Sequence, residues 1–457
     1  MKTINSEVLI IGAGAGGLSA AYWLLKNGFK VTIIEKELVV GGLMRSIKYE
    51  DFAVDFGYKH LYSRIPEVHK FWSDILGDDF LPYQSRIGIL YNGHILEKER
   101  KFRGIRRGMP YGLLLSSFAN MLKNNYRSNK NSITSLQDYT YSRRGEKFTR
   151  IFSQEYDERF KGLKWSQLPA PETLKRKGFL SDFLNDAVKI TQKQEHWFHP
   201  SKGTGQIVEN LEKEVLKMGG KIYLGFRVTN IYNQQEAIKS IEISNDNSKY
   251  ELKTSNVISS LPLQIIATLM GIDFKPAKNE LSFNRGIILV YLFLKQPTKF
   301  PHTSLHVSCP NTLMSRITNF SAYGGSMVPK GKGCLCIEYF STNSIELFVK
   351  SDKEIFEFAI NECEKSGLVN KMQCQDFLVI KAPNSDPAVS FDDYSTDPTR
   401  KKLYEQLSKF KNLYQINRTG TDKSTYAGII AAKAIVNNDK HLFDYYTSPD
   451  IYAPWEK

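Results

Sequence analysis

Glycines near the start of the chain have the spacing of a phosphate-binding turn. The run Gly12-Ala13-Gly14-Ala15-Gly16-Gly17 directly follows a continuous apolar stretch, residues 8–11, which predicts a buried strand. In such a turn Gly12 permits the change of direction, Gly14 lets a diphosphate approach the backbone, and Gly17 lets helix and strand pack closely. The N–H groups and positive dipole end of the following helix attract the diphosphate. Gly16 is also predicted to contact the molecule that carries this diphosphate.

Glu35 lies where a dinucleotide site requires an acid. It ends the predicted second strand and comes 18 residues after Gly17. A carboxylate there accepts hydrogen bonds from the adenosine ribose hydroxyls and repels a 2′-phosphate, which disfavours NADP. The next residue, Lys36, is also a predicted cofactor contact. Residues 7–35 thus predict a strand, a glycine turn, a helix ended by Gly28 and a second strand.

A second glycine pair distinguishes an FAD-binding protein from an NAD-binding protein, because both kinds of protein use the strand, turn, helix and strand described above. It opens the segment Gly41-Gly42-Leu43-Met44-Arg45-Ser46, and Asp55-Phe56-Gly57 follows shortly afterwards. A glycine pair would let the chain run close to an extended cofactor, and Arg45 can offset diphosphate charge. The segment therefore favours FAD, and three of its residues are predicted contacts: Gly42, Leu43 and Arg45.

The fragments GAGAGGLSAA, GGLMRS and VDFG together resemble the FAD fingerprint of the superfamily of amine oxidases, protoporphyrinogen oxidases and UDP-galactopyranose mutases. Residues 199–206 resemble the family's loop before a helix, and the segment around Val228 resembles the strand pair whose backbone holds the adenine. Glu338-Tyr339-Phe340 resembles a strand of the branch often encoded with surface-polysaccharide genes. The resemblance spans nearly the whole chain and implies non-covalent FAD binding, but it does not identify a substrate.

Residues 417–432 resemble the superfamily's C-terminal flavin-binding segment. This resemblance implies that Arg418, Asp422 and Thr425 contact the cofactor. A helix beginning near Ser424 or Thr425 would aim its positive end at the flavin and stabilise negative charge on the reduced ring. A capped core helix with no such role is the alternative.

His60 and Arg316 are the candidate catalytic residues. His60 follows Asp55-Phe56-Gly57 and would fall near the flavin ring, while Arg316 precedes a predicted strand and could face the substrate. For either residue a structural or solvated role is the alternative. No nucleophile elbow, HExxH or P-loop motif offers a different centre, and the five cysteines lack metal-binding spacing, so no metal is expected.

We expect an α/β fold in which a Rossmann-type FAD-binding domain is interleaved with a substrate domain of mixed sheet and helices. The first domain is expected from residues 1–65, 195–265 and 405–457, and the second from residues 66–194 and 266–404. Residues 66–200 are expected to be mostly helical. Elsewhere the patterns predict helices over 205–218, 352–366 and 425–437, and strands over 221–224, 227–232, 238–243, 256–259, 284–296 and 333–340.

The formal net charge of +14 is compatible with nucleic acid, an anionic membrane or a phosphorylated substrate as partner. No nucleic-acid module is present, so we expect a small-molecule substrate and no nucleic acid. The basic, apolar-rich segment 100–127 could lie on an anionic bilayer or pack into the substrate domain. With no visible signal peptide or long apolar run, the protein is expected to be cytoplasmic, with peripheral contact to the inner membrane face as an alternative.

Three functions stay open. The first is an FAD-dependent oxidoreductase whose flavin accepts a hydride, with a nucleotide- or lipid-linked sugar of surface-polysaccharide biosynthesis as the implied substrate. The second is a non-redox mutase of the UDP-galactopyranose mutase type; residues 421–426 lack that branch's Tyr, Asp and Met cluster. The third is a flavin-bound interaction or membrane-associated protein without turnover. A mutase would need a diphosphate clamp, for which suitable residues are Arg285, Arg316, Tyr323 and Arg418.

Overall fold

A computed structural model describes residues 2–97, 119, 133–170, 197–273, 284–340, 346–387, 398–418 and 420–447. The chain forms two compact units: unit 1 (Met1–Pro82, Phe198–Phe283 and Val389–Lys457) and unit 2 (Tyr83–Trp197 and Asn284–Ala388). The expected division placed residues 66–82 in the substrate domain. They lie in unit 1 because the helix beginning at Pro66 packs its apolar face into the core of that unit.

The strands are β1 (Lys2–Ile11), β2 (Val31–Glu35), β3 (Ser46–Tyr49), β4 (Phe52–Asp55), β5 (Phe80–Tyr83), β6 (Ile87–Tyr91), β7 (His94–Glu97), β8 (Trp197–Pro200), β9 (Lys221–Leu224), β10 (Arg227–Gln234), β11 (Ala237–Ser244), β12 (Lys249–Ser259), β13 (Asn284–Leu294), β14 (Ser304–Val307), β15 (Arg316–Asn319), β16 (Gly333–Phe340), β17 (Cys374–Pro387) and β18 (Leu413–Gln415). The helices are α1 (Ala15–Lys26), α2 (Pro66–Leu76), α3 (Leu136–Arg144), α4 (Glu146–Thr149), α5 (Glu155–Lys161), α6 (Gly205–Lys217), α7 (Leu263–Leu269), α8 (Asp352–Lys365), α9 (Pro398–Ser408), α10 (Thr421–Val436) and α11 (Lys440–Tyr446).

The large sheet of unit 1 has the strand order β10-β11-β12-β1-β2-β9, and β18 also pairs with β12. β1 is parallel to both β12 and β2, and β9 is parallel to β2. Residues 8–11 are buried without alternation, as expected for a central parallel strand that is covered on both faces. Because β1 and β2 are parallel, their carboxyl ends meet at one edge of the sheet, next to Gly12 and Glu35.

Helices α1 and α10 cross at short distance over this sheet. A Cβ on Gly428 would lie 2.1 Å from the carbonyl oxygen of Gly16, and one on Gly16 would lie 2.7 Å from that of Ser424. Glycine at these positions is what lets the two backbones approach so closely. The first helix of the chain and α10 therefore share one hydrophobic core, to which α2 and α6 also contribute.

The sheet of unit 2 has the order β17-β13-β16-β15-β14-β6-β7, and all its pairs are antiparallel except β14 with β6. One face, which includes Ile317 and Ile337, packs against the apolar side of α8. Side chains alternate along a strand, so the neighbouring residues Arg316, Thr318 and Glu338 belong to the opposite face. This face carries the buried carboxylate of Glu338 and the buried hydroxyl of Thr318.

Each helix and strand that was predicted individually has a counterpart in the structure, and β9 and β16 match at both ends. The expectation that residues 66–200 are mostly helical is wrong for β5, β6, β7 and β8. β6 and β7 form a hairpin in which Tyr91 pairs with His94 across Asn92 and Gly93, whose φ values are +47° and +77°. An Asn-Gly pair is the strongest short-range hairpin signal, and the expectation of helix overlooked it.

The basic segment 100–127 lies outside the described residues apart from Ala119, so its contact with a membrane stays a prediction. Among the residues that the structure describes, no helix combines the length and the apolar character needed to cross a bilayer.

Candidate functional site

The glycine turn after β1 has the geometry of a phosphate-binding loop. Gly12 has φ +101°, and its N–H donates to the carbonyl oxygen of Ile34 at 2.8 Å. A Cβ on Gly17 would lie 2.0 Å from the Gly12 carbonyl oxygen, so α1 starts directly against the end of the strand. A Cβ on Gly14 would meet no atom within 4 Å. The turn thus leaves open space beside the first N–H groups of α1, which have no intrahelical partners and suit a diphosphate.

The second glycine pair lies beside the first motif. The Gly41 N–H donates to the carbonyl oxygen of Ala13 at 2.8 Å, and Gly14 and Gly41 form a parallel β-bridge. Gly41 and Gly42 have φ values of +108° and +53°, which favour glycine. A Cβ on Gly42 would lie 3.7 Å from the Cα of Gly14. The fold therefore brings together two motifs that are separate in the sequence.

Glu35 lies at the same edge of the sheet with its carboxylate held in place. Its Oε2 accepts a hydrogen bond from the Ala13 N–H at 2.8 Å, and its Oε1 accepts one from the Glu37 N–H at 3.0 Å. Only 7% of the residue is exposed. A carboxylate has about four acceptor positions, so Glu35 can still accept bonds from ribose hydroxyls. Its placement fits the role predicted from the sequence.

Four other residues that are predicted to contact the cofactor lie in different surroundings. Lys36 is exposed and forms an ion pair of 3.7 Å with the residue that follows it. Leu43 is also exposed. The Cζ of Arg45 lies 5.0 Å from the centroid of the Phe56 ring, and Val228 is half-buried on β10. Contact of these four residues with a cofactor stays a prediction.

Helix α10 begins at Thr421, so the expected start near Ser424 or Thr425 is wrong by about one turn. Gly420 has φ +95°, and this turn of the backbone sets the start of the helix. Thr425 lies inside the helix, where its hydroxyl donates to the carbonyl oxygen of Thr421 at 2.8 Å. The first-turn N–H groups that the helix could offer to a ligand therefore come before Thr425.

Asp422 lies in the first turn of α10. Burial raises the pKa of its carboxyl above the ordinary value, and hydrogen bonds from the Lys423 N–H and the Ser63 side chain partly oppose that rise. The carboxyl is thus half-buried at the positive end of a helix. Its contact with the cofactor stays a prediction.

Arg418 is buried, and its side chain is bonded to the protein backbone. The guanidinium donates to the carbonyl oxygens of Gln415 and Asn417, each at 3.0 Å, and to that of Thr447 at 3.3 Å. These bonds tie the chain before α10 to the end of α11. They give Arg418 a structural role that the sequence did not predict.

The two candidate catalytic residues lie in different units. In unit 1 the half-buried His60 ring is edge-on to Tyr58, with centroids 5.2 Å apart. In unit 2 the Nε and Nη2 of Arg316 donate to Oε2 of Glu338 at 3.0 and 2.6 Å, and its Cζ lies 5.5 Å from the Phe160 ring centroid. Glu338 is fully buried, so the two form a buried charge pair. Their catalytic roles stay predictions.

A buried polar network behind the second glycine segment was missed from the sequence. Asp55 accepts hydrogen bonds from the Ser46 hydroxyl at 2.8 Å and the Thr204 N–H at 2.7 Å, and it lies 2.8 Å from Nε2 of His199. Ser46 Oγ in turn accepts a bond from the Gly205 N–H at 2.8 Å. Asp55 and His199 are 144 residues apart, so no local spacing signals their contact. The family-like loop at 199–206 was the available signal.

The residues of unit 1 fit FAD. The open space at Gly14 and the start of α1 suit the diphosphate, and the fixed carboxylate of Glu35 suits the adenosine ribose. Gly41 and Gly42 let a second stretch of backbone lie against the same turn. The site as described has the geometry to hold a dinucleotide.

A family model described as flavin containing amine oxidoreductase matches residues 15–367. The chain is 26% identical over 290 residues to polyamine oxidase 2 of Arabidopsis thaliana, which covers 61% of this chain and 55% of that protein. It is 47% identical over 54 residues to all-trans-zeta-carotene desaturase of Myxococcus xanthus, which covers 11% of this chain and 10% of that protein. The chain thus matches about half of one relative's length and about a tenth of the other's.

Two solved structures share the fold over nearly the whole chain. Reduced UDP-galactopyranose mutase has a TM-score of 0.71 at 16% identity, covering 97% of this chain and 98% of that one. A putative protoporphyrinogen oxidase from Exiguobacterium sp. 255-15 has a TM-score of 0.72 at 13% identity, covering 95% and 99%. These similarities confirm the expected fold class, and at such identities they bear on the fold alone.

Proposed function

The chain belongs to the family of flavin-containing amine oxidoreductases, which makes FAD its cofactor, and from this premise we propose that it is an FAD-dependent oxidoreductase. When bound, FAD supplies an acceptor for a hydride from a C–N, C–C or C–O bond of a small-molecule substrate. The protein's part is to bind the cofactor, orient it and hold the substrate beside it.

The joined glycine segments of unit 1 are the observation that carries the proposal. The start of α1 binds the diphosphate, Gly14 and Gly42 leave room for it, and Glu35 orients the adenosine. These residues explain why the protein holds a dinucleotide. They do not select a substrate, which must depend on other residues.

A sugar-nucleotide mutase is the second candidate, and the arrangement of arginines supports it less. A mutase needs cations free to clamp a nucleotide diphosphate. Two of the suitable residues bind within the protein instead: Arg316 pairs with Glu338, and Arg418 donates to backbone carbonyls. Tyr323 is buried, and its ring stacks on Tyr83 with centroids 5.2 Å apart. These contacts favour the redox function.

We propose a nucleotide- or lipid-linked sugar of surface-polysaccharide biosynthesis as the substrate. The resemblance of Glu338-Tyr339-Phe340 to the polysaccharide-associated branch supports this class. The names of the two relatives provide the competing classes, a polyamine and a carotenoid. All three offer a C–H bond from which a hydride could be taken.

Anaerobic mixing of the FAD-loaded protein with each substrate class tests both proposals. We expect the linked sugars to bleach the visible band of oxidised flavin in proportion to the substrate consumed. The Gly14→Val variant, which should not retain FAD, controls for reactions that do not need the cofactor.

The possible results separate the two proposals. Bleaching by a polyamine or a carotenoid alone would keep the oxidoreductase and reject the sugar. Isomerisation of a nucleotide sugar only after dithionite reduction, without net electron transfer, would reject the oxidoreductase in favour of the mutase. No bleaching and no isomerisation with any class, by protein that holds FAD, would reject the sugar substrate and favour a protein without turnover.

A further inference from the structure

The network around Asp55 contains a buried pair of ionisable side chains in unit 1. The exposed fractions of Asp55 and His199 are 0% and 3%. Nε2 of His199 lies 2.8 Å from Oδ2 of Asp55, and Nδ1 of the same ring lies 2.9 Å from the carbonyl oxygen of Pro200. Both ring nitrogens therefore face oxygen acceptors.

Each of these two short contacts needs one proton between its atoms. The Pro200 carbonyl oxygen can only accept, so the ring donates to it from Nδ1. The second proton lies between Nε2 of His199 and Oδ2 of Asp55, which makes that contact a hydrogen bond as well. The geometry thus fixes the His199 ring between Pro200 and Asp55.

Unit 2 contains a second histidine–carboxylate pair that lacks this feature. Nε2 of His302 lies 3.1 Å from Oε1 of Glu97, and the ring is also buried. Its Nδ1 has no hydrogen-bond partner among the described residues. Glu97 is 37% exposed, so this pair is a control for a buried histidine that has one partnered ring nitrogen.

The His199–Asp55 pair is linked directly to the second glycine segment. Oδ1 of Asp55 accepts bonds from Ser46 and from the N–H of Thr204, and the Thr204 hydroxyl donates to the carbonyl oxygen of Met44 at 3.1 Å. A Cβ on Gly203 would lie 2.6 Å from Asp55 Oδ1, so the loop is packed tightly against this carboxylate. The pair thus holds one end of segment 41–46, and Gly41 holds the other end against the first glycine turn.

We propose that the hydrogen-bonded His199–Asp55 pair positions the second glycine segment for FAD. Both are positioning residues, because they act through Met44 and Ser46. Loss of either side chain removes this hydrogen bond from its buried partner, and relaxation of the loop would move the segment away from the diphosphate. Cofactor affinity should therefore depend on a pair that lies behind the binding surface.

Titration of the cofactor-free, full-length protein with FAD tests the proposal. We expect His199→Phe and Asp55→Ala to raise the Kd for FAD by about tenfold or more, the scale of one lost buried hydrogen bond. Asp55→Asn should stay within about threefold, because its amide oxygen can accept from Thr204 while its NH₂ donates to a neutral His199. His302→Phe should leave the Kd unchanged.

The hydrogen bonds of the His199 ring give a second readout. Nitrogen-15 NMR of the wild-type protein labelled at histidine should show a slowly exchanging N–H at Nδ1 of His199, because this atom faces the carbonyl oxygen of Pro200. Asp55→Asn should retain this signal. If His199→Phe or Asp55→Ala does not fold, the wild-type spectrum and Asp55→Asn still decide the matter.

Three results would overturn the proposal. A rapidly exchanging Nδ1–H on His199 would show that the ring is not held between Pro200 and Asp55. An unchanged Kd in folded His199→Phe would show that the pair does not act on the cofactor. Equal losses of affinity in Asp55→Asn and Asp55→Ala would show that the hydrogen-bond pattern does not matter.

Discussion

The two units differ in where some of their polar groups find partners. In unit 1 the glycine turn directs the backbone of α1 towards open space beside Gly14. In unit 2 the carboxylates of Glu338 and Glu362 find their partners within the unit. Glu362 accepts bonds from the Thr312 hydroxyl at 2.6 Å, the Leu313 N–H at 2.8 Å and the Tyr339 hydroxyl at 2.9 Å.

This difference indicates where a ligand contributes to stability. The backbone donors of unit 1 should gain partners when the cofactor binds, so FAD should stabilise that unit by an amount that rises with the logarithm of free FAD over its Kd. The paired charges of unit 2 need no ligand, and breaking them should destabilise the unit whether FAD is present or not.

The largest effect should come from Gly17→Val. Its Cβ would lie 2.0 Å from the Gly12 carbonyl oxygen, so α1 could not pack on the strand, and we expect loss of both FAD and the folding transition of unit 1. Gly14→Val should also lose FAD, because its side chain occupies the diphosphate's path. The cofactor-free Gly14→Val protein should keep the wild-type Tm. If cofactor-free Gly14→Val had a Tm as low as that of Gly17→Val, the two glycines could not be assigned separate roles in binding and packing.

An intermediate effect is expected from Glu338→Ala in unit 2. This variant leaves the Arg316 guanidinium without its buried partner, which should cost about 3–5 kcal/mol. Amide hydrogen exchange in peptides from β15 and β16 measures the loss locally. Glu357→Ala breaks an exposed ion pair with Lys371 in the same unit and should cost about 0–1 kcal/mol. Similar exchange in the two variants would mean that burial does not distinguish these pairs.

The smallest effect should come from Asp422→Asn in α10. Because burial raises the pKa of Asp422 above 3.8, the folded chain keeps a proton that the unfolded chain has already lost. The carboxyl therefore favours folding at acid pH, and this contribution is lost as the pH rises through the raised pKa. Relative to wild type, the cofactor-free Asn variant should gain on the order of 1–3 °C in Tm between about pH 4 and pH 7. A constant difference in Tm would contradict the raised pKa.

The sequence predicts the part of the site that local chemistry determines. Gly12, Gly17 and Glu35 follow from a strand, a turn and a second strand, and the structure places all three as expected. The start of α10 was harder to predict, because Ser424 and Thr425 resemble cap residues while a backbone turn at Gly420 sets the true start.

Long-range contacts account for what the sequence did not predict. The resemblance implies that Arg418 contacts the cofactor, but it does not predict the bond from its guanidinium to the carbonyl oxygen of Thr447, 29 residues further along the chain. The contact between Asp55 and His199 joins β4 and β8, which belong to two different sheets, and the hydrophobic pattern does not encode such a contact. Periodicity reports which faces are buried and leaves the partners of buried charges undetermined.

The crossing of α1 and α10 at Gly16 and Gly428 determines when the core of unit 1 can finish folding during translation. Helix α1 ends at Lys26, but the helix that covers it is made only when residues 421–436 emerge from the ribosome. That interval is about 400 residues, or roughly 20–80 s of synthesis. During it the apolar side of α1, including Leu18 and Leu24, lacks its native cover and is open to chaperones or to aggregation. Unit 1 therefore completes its hydrophobic core only when translation is nearly finished.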